Sequence, residues 1–325
     1  MRFSVHAESW AVVRPFRITG HVWTSFESVV VELERNGAVG RGEALGVFYA
    51  SETPATMIAQ IEAVAAQLDD GLTRAAVQTL LPPGGARNAL DCALWDLEAK
   101  EQGCSIWELT GVQPRELETV YTIGIEATPE AMAAHAAAAA GQPLLKIKLD
   151  GQQPLERLQA IRRARPDARL VVDANQGWTF TQLQALAPAF AELGVLMIEQ
   201  PLPRGGDAVL EGYRSPVPLC ADESCLHLGE LEPAARRYQM INIKLDKTGG
   251  LTHALELARA VRGLGLGLMV GSMAGGSLAM APAFVIGCLC DFVDIDGPLL
   301  LKYDRLPGLR FDGARVSPPD GRIWG

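Results

Sequence analysis

The chain has 325 residues, of which 48% are hydrophobic and 21% are charged; this composition is typical of a folded globular protein and argues against disorder, collagen-like repeats and disulfide-stapled miniproteins. Its 29 Lys and Arg residues and 38 Asp and Glu residues give a net charge of -9. A polyanion would be repelled by this charge, so we expect no nucleic-acid partner.

The cysteine pattern indicates free thiols. The six cysteines contain no Cys-x-x-Cys pair and no nearby histidine pair at zinc-ligand spacing, which suits a reducing compartment. The amino terminus lacks the apolar core of a signal peptide, and no stretch reaches the roughly 18 uninterrupted apolar residues of a membrane span. We therefore expect a cytoplasmic protein with no membrane partner.

The N-terminal third has a mixed α and β pattern. Residues 28–33 predict a strand, and Asn36-Gly37 predicts a turn into a second strand. Apolar residues at helical spacing over residues 54–68 and again over residues 86–102 predict two helices.

The pattern then changes to short apolar strands, each followed by a helical stretch. Eight strands are predicted at regular spacing, over residues 120–125, 144–149, 170–173, 195–199, 217–221, 240–245, 267–271 and 292–296. A doubly wound open sheet can also produce this alternation, but a count of eight favours closure into an α/β barrel.

These patterns together predict an α/β protein built on a modified TIM-type (β/α)7β barrel. We expect the barrel to form the catalytic domain over residues 119–296. Residues 1–118 precede it as an α+β capping domain. The tail, residues 297–325, has turn residues and no obvious helix, and we expect it to return and complete the capping domain.

Charged residues follow the predicted barrel strands at their carboxyl ends, where such barrels place their active sites. Asp173, Glu199 and Asp222 end three consecutive strands, so a closed barrel would bring them together. Oxygen ligands without His or Cys suit Mg²⁺, and we predict a magnesium site. One carboxylate at a strand end is more often a solvated cap than a ligand, but a run of such residues at successive strands favours a site.

Three lysines accompany the carboxylates. Lys146 and Lys148 share one side of the second strand, and Lys244 ends the sixth strand on the opposite side of the mouth. Nearby positive charge and desolvation lower the pKa of a lysine, which can then act as a general base. With a metal holding a substrate carboxylate, a base on each face of the α-carbon can invert that centre through an enediolate, and syn elimination would use the same groups.

The whole chain resembles the enolase superfamily, in its muconate lactonizing enzyme subgroup, and most closely the dipeptide epimerases typified by L-Ala-D/L-Glu epimerase. The resemblance covers both predicted domains. It is carried by the motifs at residues 86–96, 146–150, 172–175, 199–202, 221–224 and 242–250.

This resemblance implies roles for the strand-end residues. It implies an Mg²⁺-dependent isomerase in which Lys148 and Lys244 are the two acid/base catalysts, Lys146 holds the substrate carboxylate or lowers the pKa of Lys148, and the metal ligands are Asp173, Glu199 and Asp222. It also leaves a homo-oligomer open, because family members commonly assemble.

Asp294 and Asp296 follow the eighth strand. By themselves they could simply shape a turn before Gly297-Pro298. They match the Asp-x-Asp motif by which dipeptide epimerases hold the free α-ammonium group of the substrate, so the resemblance favours a dipeptide. The alternatives within the fold are an N-acylamino acid racemase, an o-succinylbenzoate synthase or a muconate-type cycloisomerase, which would tolerate loss of this pair. A non-catalytic ligand-binding barrel is disfavoured because all five metal and base positions are present.

Two loops of the N-terminal domain read the substrate side chain in this family, and the Glu-specific members carry an arginine in the first loop. Here the first loop, residues 19–25, contains no Arg or Lys, and the second, residues 44–49, is largely apolar. Because an unpaired buried carboxylate is costly, we predict that the second residue of the dipeptide need not be Glu and can be apolar or aromatic. Arg17 or His21 could still supply a charge for Glu.

The candidate substrate-binding residues in and near these loops are therefore His21, Trp23, Phe48 and Met273. For Met273, as for Met269, a core position is the alternative.

Overall fold

The computed structural model of the chain describes residues 1–325. Its N-terminal part is an antiparallel sheet of three strands, β1 (Arg2–Ile18), β2 (His21–Arg35) and β3 (Ala38–Ala44), with β2 in the middle. Asn36 and Gly37 make the predicted turn, both with positive φ. The sequence did not predict β1, because Pro15 and a register shift between Ala11 and Phe16 interrupt its alternation.

One long helix covers this sheet. The helices of this part are α1 (Pro54–Ala63), α2 (Arg74–Leu80), α3 (Gly85–Gln102) and α4 (Ile106–Thr110), with 3-10 turns at Phe48–Ala50 and Ala65–Gln67. A Cβ at Gly42 would lie 2.1 Å from the Ala89 carbonyl oxygen of α3, so the close approach of helix and sheet requires glycine there. The predicted helix over residues 54–68 ends at Ala63, because the chain tightens into the second 3-10 turn.

The larger part of the chain forms the predicted α/β barrel. A short strand β4 (Leu117–Glu118) leads into eight parallel strands that pair in chain order: β5 (Tyr121–Ile123), β6 (Leu144–Lys148), β7 (Arg169–Asp173), β8 (Val195–Glu199), β9 (Leu219–Ala221), β10 (Met240–Lys244), β11 (Gly267–Gly271) and β12 (Phe292–Val293). The Val120 amide donates to the Val293 carbonyl oxygen at 2.8 Å and connects the two ends of the sheet. The predicted fold class is confirmed.

Seven connections join the eight strands. Their helices are α5 (Pro129–Ala138), α6 (Pro154–Ala164), α7 (Phe180–Glu192), α8 (Leu231–Ala235), α9 (Leu245–Thr248), α10 (Leu251–Gly263) and α11 (Ser277–Gly287), with 3-10 turns at Asp207–Leu210 and Leu228–Glu230. Only a 3-10 turn connects β8 to β9. None of the helices in the chain combines the length and apolarity needed to cross a bilayer.

The tail returns to the N-terminal part of the molecule. It begins with one helical turn, α12 (Gly297–Leu300), where the sequence showed no obvious helix, and continues to β13 (Phe311–Asp312) and β14 (Arg315–Val316). Strand β14 pairs with β4. Near the end of the chain, Trp324 is fully buried and its indole Nε1 donates to the Cys92 carbonyl oxygen of α3 at 2.9 Å. The tail is therefore packed against the helix that covers the N-terminal sheet.

Candidate active site in the mouth of the barrel

Strand alternation explains how the site residues come to face the barrel interior. A buried apolar ring crosses the interior and takes one side chain from each strand or its start: Val120, Leu144, Val171, Met197, Cys220, Met240 and Met269, with Phe292 partly buried against them. Residues two positions further along each strand point to the same side, one layer nearer the mouth. The polar layer above this apolar ring therefore contains Lys146, Asp173, Glu199, Asp222, Asn242 and Asp294.

The two expected bases lie on different flanks of this layer, each in contact with a carboxylate. Lys148 Nζ donates to Asp173 Oδ2 at 2.6 Å and to Asn175 Oδ1 at 3.2 Å. Lys244 Nζ donates to Asp222 Oδ2 at 2.8 Å. Because β6 and β10 are four strands apart in the barrel order, the two ammonium groups face the cavity from opposite sides.

Lys146 lies at the centre of the charged layer. Its Nζ donates to Asp294 Oδ2 at 2.7 Å and lies 2.7 Å from Glu199 Oε2 and 3.2 Å from Asp173 Oδ2. Burial would lower the pKa of Lys146, but these three carboxylates raise it well above its usual value. The side chain is therefore a buried ammonium that joins strands β6, β7 and β8 to the segment after β12.

The electrostatics of Lys244 differ from the expectation drawn from the sequence. Burial lowers the pKa of this lysine, but the carboxylates of Asp222 and Glu199 outweigh burial and raise the pKa above its usual value. The predicted lowering of the lysine pKa is therefore wrong for Lys244. Neighbouring cations were expected to lower its pKa, but the Asp222 carboxylate is in direct contact with its ammonium group.

The three carboxylates at the strand ends are fully buried, and their pKa values move in different directions. Burial would raise the pKa of Asp173, yet Lys148 and Lys146 bring it below its usual value. Lys244 and Lys247 likewise overcome burial and lower the pKa of Asp222. The pKa of Glu199 is raised, first by burial and then by Asp173.

The donor set of these carboxylates fits a magnesium ion. Asp173, Glu199 and Asp222 supply only oxygen, the ligand type that Mg²⁺ prefers. Glu199 Oε2 is buried and accepts no hydrogen bond, since its 2.7 Å contact with Lys146 is an ion contact without hydrogen-bond geometry. The side chains are turned toward lysines, so no three His, Cys, Asp or Glu residues already surround one point at metal-ligand spacing.

Two residues that were not predicted from the sequence, Lys247 and Gln200, hold Asp222 in place after β9. Lys247 Nζ donates to Asp222 Oδ1 at 2.8 Å, and to the carbonyl oxygens of Asp222, Asn242 and Cys225 at 2.7, 2.8 and 3.1 Å. Gln200 Oε1 accepts from the Asp222 amide at 3.0 Å. The available signal for Lys247 was its position inside the 242–250 motif, three residues after Lys244 and within reach of the same carboxylate.

Asp294 and Asp296 form a second carboxylate pair at the same cavity. Strand β12 is shorter than predicted and ends at Val293, so both residues lie in the loop that follows it. Asp296 Oδ2 accepts from the Thr122 amide at 2.6 Å. Burial and the neighbouring Asp294 raise the pKa of Asp296 to about 8. Both line the cavity that also contains Lys146, Lys148 and Lys244.

The N-terminal sheet contributes an aromatic wall to this cavity. Trp23 and Phe48 line it, with ring centroids 5.2 Å apart and an interplanar angle of 80°. Met273 also lines the cavity, unlike Met269, which is fully buried in the apolar ring. His21 does not line it, because its ring stacks on Trp23 and meets Phe48 edge-on behind the wall.

The charges near the aromatic wall do not favour a ligand side chain that ends in a carboxylate. No arginine lines the cavity, and its only cations are Lys146, Lys148 and Lys244. Arg17 is exposed, while its strand neighbours Phe16 and Ile18 line the cavity, as alternation requires. Additional lining residues include Phe26, Leu45, Tyr49 and Leu300, together with the acidic residues Glu27, Glu52 and Glu223.

Comparison with known proteins agrees with this fold. Residues 130–321 match the family model for the enolase C-terminal domain-like fold, and residues 2–111 match the N-terminal domain of the mandelate racemase/muconate lactonizing enzyme family. The chain therefore belongs to the enolase superfamily. Within that superfamily it belongs to the mandelate racemase/muconate lactonizing enzyme family, as the resemblance predicted.

The individual relatives of the chain include epimerases. L-Ala-D/L-Glu epimerase of Escherichia coli (strain K12) is 46% identical over 94% of this chain and 96% of its own. A solved enolase family member from Agrobacterium tumefaciens, with homology to dipeptide epimerases and with sodium and L-Ala-L-Glu bound, has a TM-score of 0.97, 43% identity and 99% coverage of both chains. The Enterococcus faecalis dipeptide epimerase complexed with Mg and L-Leu-L-Tyr has a TM-score of 0.90 and 26% identity, covering 98% of this chain and 96% of its own.

Proposed function

We propose that this protein is an Mg²⁺-dependent dipeptide epimerase that inverts the α-carbon of the C-terminal residue. The observation that carries the proposal is the placement of Lys148 and Lys244 on opposite sides of one cavity, with a carboxylate set between them. An α-proton can leave toward one lysine while the other delivers a proton to the opposite face. Such a two-base exchange inverts a stereocentre and requires no redox cofactor.

The residues that would hold the metal are Asp173, Glu199 and Asp222. When bound, Mg²⁺ neutralises the negative charge that develops on the substrate carboxylate as the α-proton leaves. Lys146 lies among these ligands and offers a fixed positive charge to the same carboxylate. In one turnover the lysine that takes the α-proton starts as the neutral amine and ends as the ammonium, whereas the lysine that delivers a proton starts as the ammonium and ends as the amine. Proton exchange with solvent then restores the starting form of each lysine beside its own carboxylate partner.

Asp294 and Asp296 would bind the free α-ammonium group of the dipeptide. Asp294 accepts a hydrogen bond from Lys146 and Asp296 accepts one from the Thr122 amide, and the remaining lone pairs of these two buried carboxylates leave acceptor capacity toward the cavity. A carboxylate pair attracts a cation, and burial, followed by the charge of Asp294, raises the pKa of Asp296. Relatives whose substrates have no ammonium group would gain nothing from this pair.

We further propose that the second residue of the preferred dipeptide is apolar or aromatic. The wall formed by Trp23 and Phe48, with Met273 near it, offers apolar surface and no cation. The acidic side chains of Glu27 and Glu52 would repel a second carboxylate. The relation to L-Ala-D/L-Glu epimerase favours Glu instead, so the substrate assay must include both types of dipeptide.

Incubation of the purified protein with Mg²⁺ and a dipeptide library in D₂O tests both proposals. We expect one deuteron to be incorporated at the α-carbon of the second residue, with L-Ala-L-Phe a better substrate than L-Ala-L-Glu. A large preference for L-Ala-L-Glu would contradict the side-chain proposal alone. No incorporation into any dipeptide, with Mg²⁺ binding demonstrated by calorimetry, would contradict the epimerase proposal and favour N-acylated amino acids or cycloisomerase substrates.

We also propose that residues 1–118 form a capping domain completed by residues 297–325, with the catalytic barrel over residues 119–296. The pairing of β14 with β4 and the burial of Trp324 against α3 support this division.

The free thiols of all six cysteines support a cytoplasmic location. A homo-oligomer is proposed from the family resemblance, and sedimentation velocity would measure it.

A further inference from the structure

The second loop at the cavity is held through three successive backbone amides by two carboxylates, the buried Asp246 and the partly buried Glu52. Leu45 and Gly46 both donate to Asp246 Oδ1, at 3.1 and 2.8 Å, and Val47 donates to Glu52 Oε2 at 2.6 Å. This loop, residues 45–49, contributes Leu45, Gly46, Phe48 and Tyr49 to the cavity lining. Amide hydrogen bonds to carboxylate acceptors are stronger than those between neutral groups, so these contacts hold the loop in place before any substrate binds.

Asp246 belongs to the barrel, whereas the loop belongs to the N-terminal sheet. It lies in the single turn of α9, two residues after Lys244, and is 7% exposed. Lys244 itself contacts Asp222, so the catalytic lysine and the loop anchor use different partners. The aromatic wall is therefore tied to the same strand end that carries one of the proposed bases.

The loop conformation leaves little room for an alternative arrangement. Gly46 has φ +79°, a left-handed conformation that favours glycine. A Cβ there would also lie 2.9 Å from Met57 Sδ. With its backbone held on one side by Asp246 and packed on the other against α1, the loop is a fixed wall of the cavity.

We propose that Asp246 is a specificity-positioning residue, which holds the loop at residues 45–49 so that the aromatic wall is aligned with Lys244 and selects the second side chain of the dipeptide. This inference rests on the proposed function. Asp246 does not touch the reacting atoms, so its loss changes how well a large side chain is bound and leaves the proton transfers in place. A wall that must be ordered during binding costs affinity for the side chains that use it, and none for those too small to reach it.

Asp246→Asn tests this role, with Asp91→Asn as the matched control. Asp91 is also fully buried, and it accepts from the Thr252 amide at 3.0 Å and the Thr252 hydroxyl at 2.6 Å, linking α3 to α10 without lining the cavity. For Asp246→Asn we expect the ratio of kcat/KM for L-Ala-L-Phe to that for L-Ala-L-Ala to fall at least about fivefold, mainly through KM. Turnover of L-Ala-L-Ala stays within about twofold of wild type. Asp91→Asn lowers Tm and leaves the ratio unchanged.

Amide hydrogen exchange provides a readout that does not depend on activity. In the wild-type protein the amides of Leu45 and Gly46 should exchange as slowly as those of the barrel strands, and at least about tenfold faster in Asp246→Asn. Wild-type exchange as fast as that of exposed loops would overturn the proposal, even if the variant fails to fold. So would an unchanged substrate ratio in folded Asp246→Asn, or an equal loss of the ratio in Asp91→Asn. If no dipeptide reacts with the wild type, the proposed function fails, and slow exchange at these two amides would still support the anchoring.

Discussion

Replacing Trp23 with arginine should convert the preference of the cavity from aromatic to acidic second residues. Trp23 lines the cavity from the start of β2, within residues 19–25, which contain no Arg or Lys, and its ring packs edge-on against Phe48. A guanidinium at this position would face a substrate side chain instead of an aromatic ring. The same change at Thr24 provides a control, since Thr24 is exposed, does not line the cavity and lies on the other face of β2.

The expected size of the effect follows from what the substitution adds and removes. A hydrogen bond between a guanidinium and a carboxylate is worth about 1.5–3 kcal/mol, equivalent to about 10- to 150-fold in kcat/KM for L-Ala-L-Glu. Loss of one aromatic contact is worth about 0.5–1.5 kcal/mol, equivalent to about 2- to 12-fold for L-Ala-L-Phe. The ratio of the two specificity constants should therefore shift toward Glu by at least about 20-fold.

Epimerisation can be followed by the loss of the α-proton signal in D₂O for each dipeptide at several concentrations. Trp23→Arg should shift the ratio, while Thr24→Arg, which adds the same charge one residue further on, should leave it within about twofold of wild type. Two results would contradict this prediction. A ratio unchanged in Trp23→Arg would show that the second side chain does not reach this wall, and an equal shift in Thr24→Arg would show that net charge alone controls preference.

Three further predictions concern the catalytic, ammonium-binding and stabilising residues. Lys148→Ala and Lys244→Ala should each reduce epimerisation by at least about 100-fold. Each variant should still exchange the α-proton of one of the two epimers for deuterium, which NMR in D₂O would detect. Complete loss of exchange with both epimers would argue against separate bases. Asp294→Asn should raise KM for L-Ala-L-Phe by about tenfold or more and change KM for its N-acetylated form little, so equal effects would exclude an ammonium contact. Trp324→Ala should lower the free energy of unfolding, measured by urea titration, by about 3–5 kcal/mol, because it removes a fully buried ring and the hydrogen bond to Cys92. A loss under about 1 kcal/mol would show that the tail contributes little to stability.

The barrel was predictable from the sequence because its strands are buried on both faces. Strands β6, β8, β10 and β11 are short apolar runs bounded by turns or helices, and the structure begins them where the sequence predicted. The exceptions have physical causes. The predicted start of β9 at residue 217 falls next to Pro218, which cannot donate a ladder hydrogen bond, and the strand begins at Leu219. Strand β12 ends early because the ladder stops after Asp294, whose amide donates to the Val270 carbonyl oxygen at 2.8 Å, while the next amide, of Ile295, donates to the Thr119 hydroxyl at 3.1 Å.

Strand position predicted which lysines and carboxylates lie together at the mouth of the barrel, but not which of them pair, nor that His21 lies outside the cavity lining. Strand ends and alternation bring the lysines and carboxylates to one mouth, and these are properties of sequence position. The central position of Lys146 among carboxylates from three separate segments depends on side-chain direction in three dimensions. For the same reason the rise in the pKa of Lys244 and the buried contacts of Lys247 could not be predicted from sequence position.

The arrangement explains how one site can hold its chemistry constant while its substrate changes. The groups that would bind metal and move protons lie at strand ends of the barrel, where each is fixed by several buried ion contacts and none can change without disturbing the others. Under the proposed function, the groups that would meet the substrate side chain are Trp23 on β2 and Phe48 in the 3-10 turn after β3, which belong to the N-terminal part of the chain and contact each other edge-on. Buried polar contacts connect these two parts. Among them, the hydrogen bonds from the Leu45 and Gly46 amides to Asp246 connect the aromatic wall to the end of the strand that carries Lys244. Substitutions in the wall should therefore redirect specificity with little cost to proton transfer, whereas substitutions at the strand ends should affect every substrate alike.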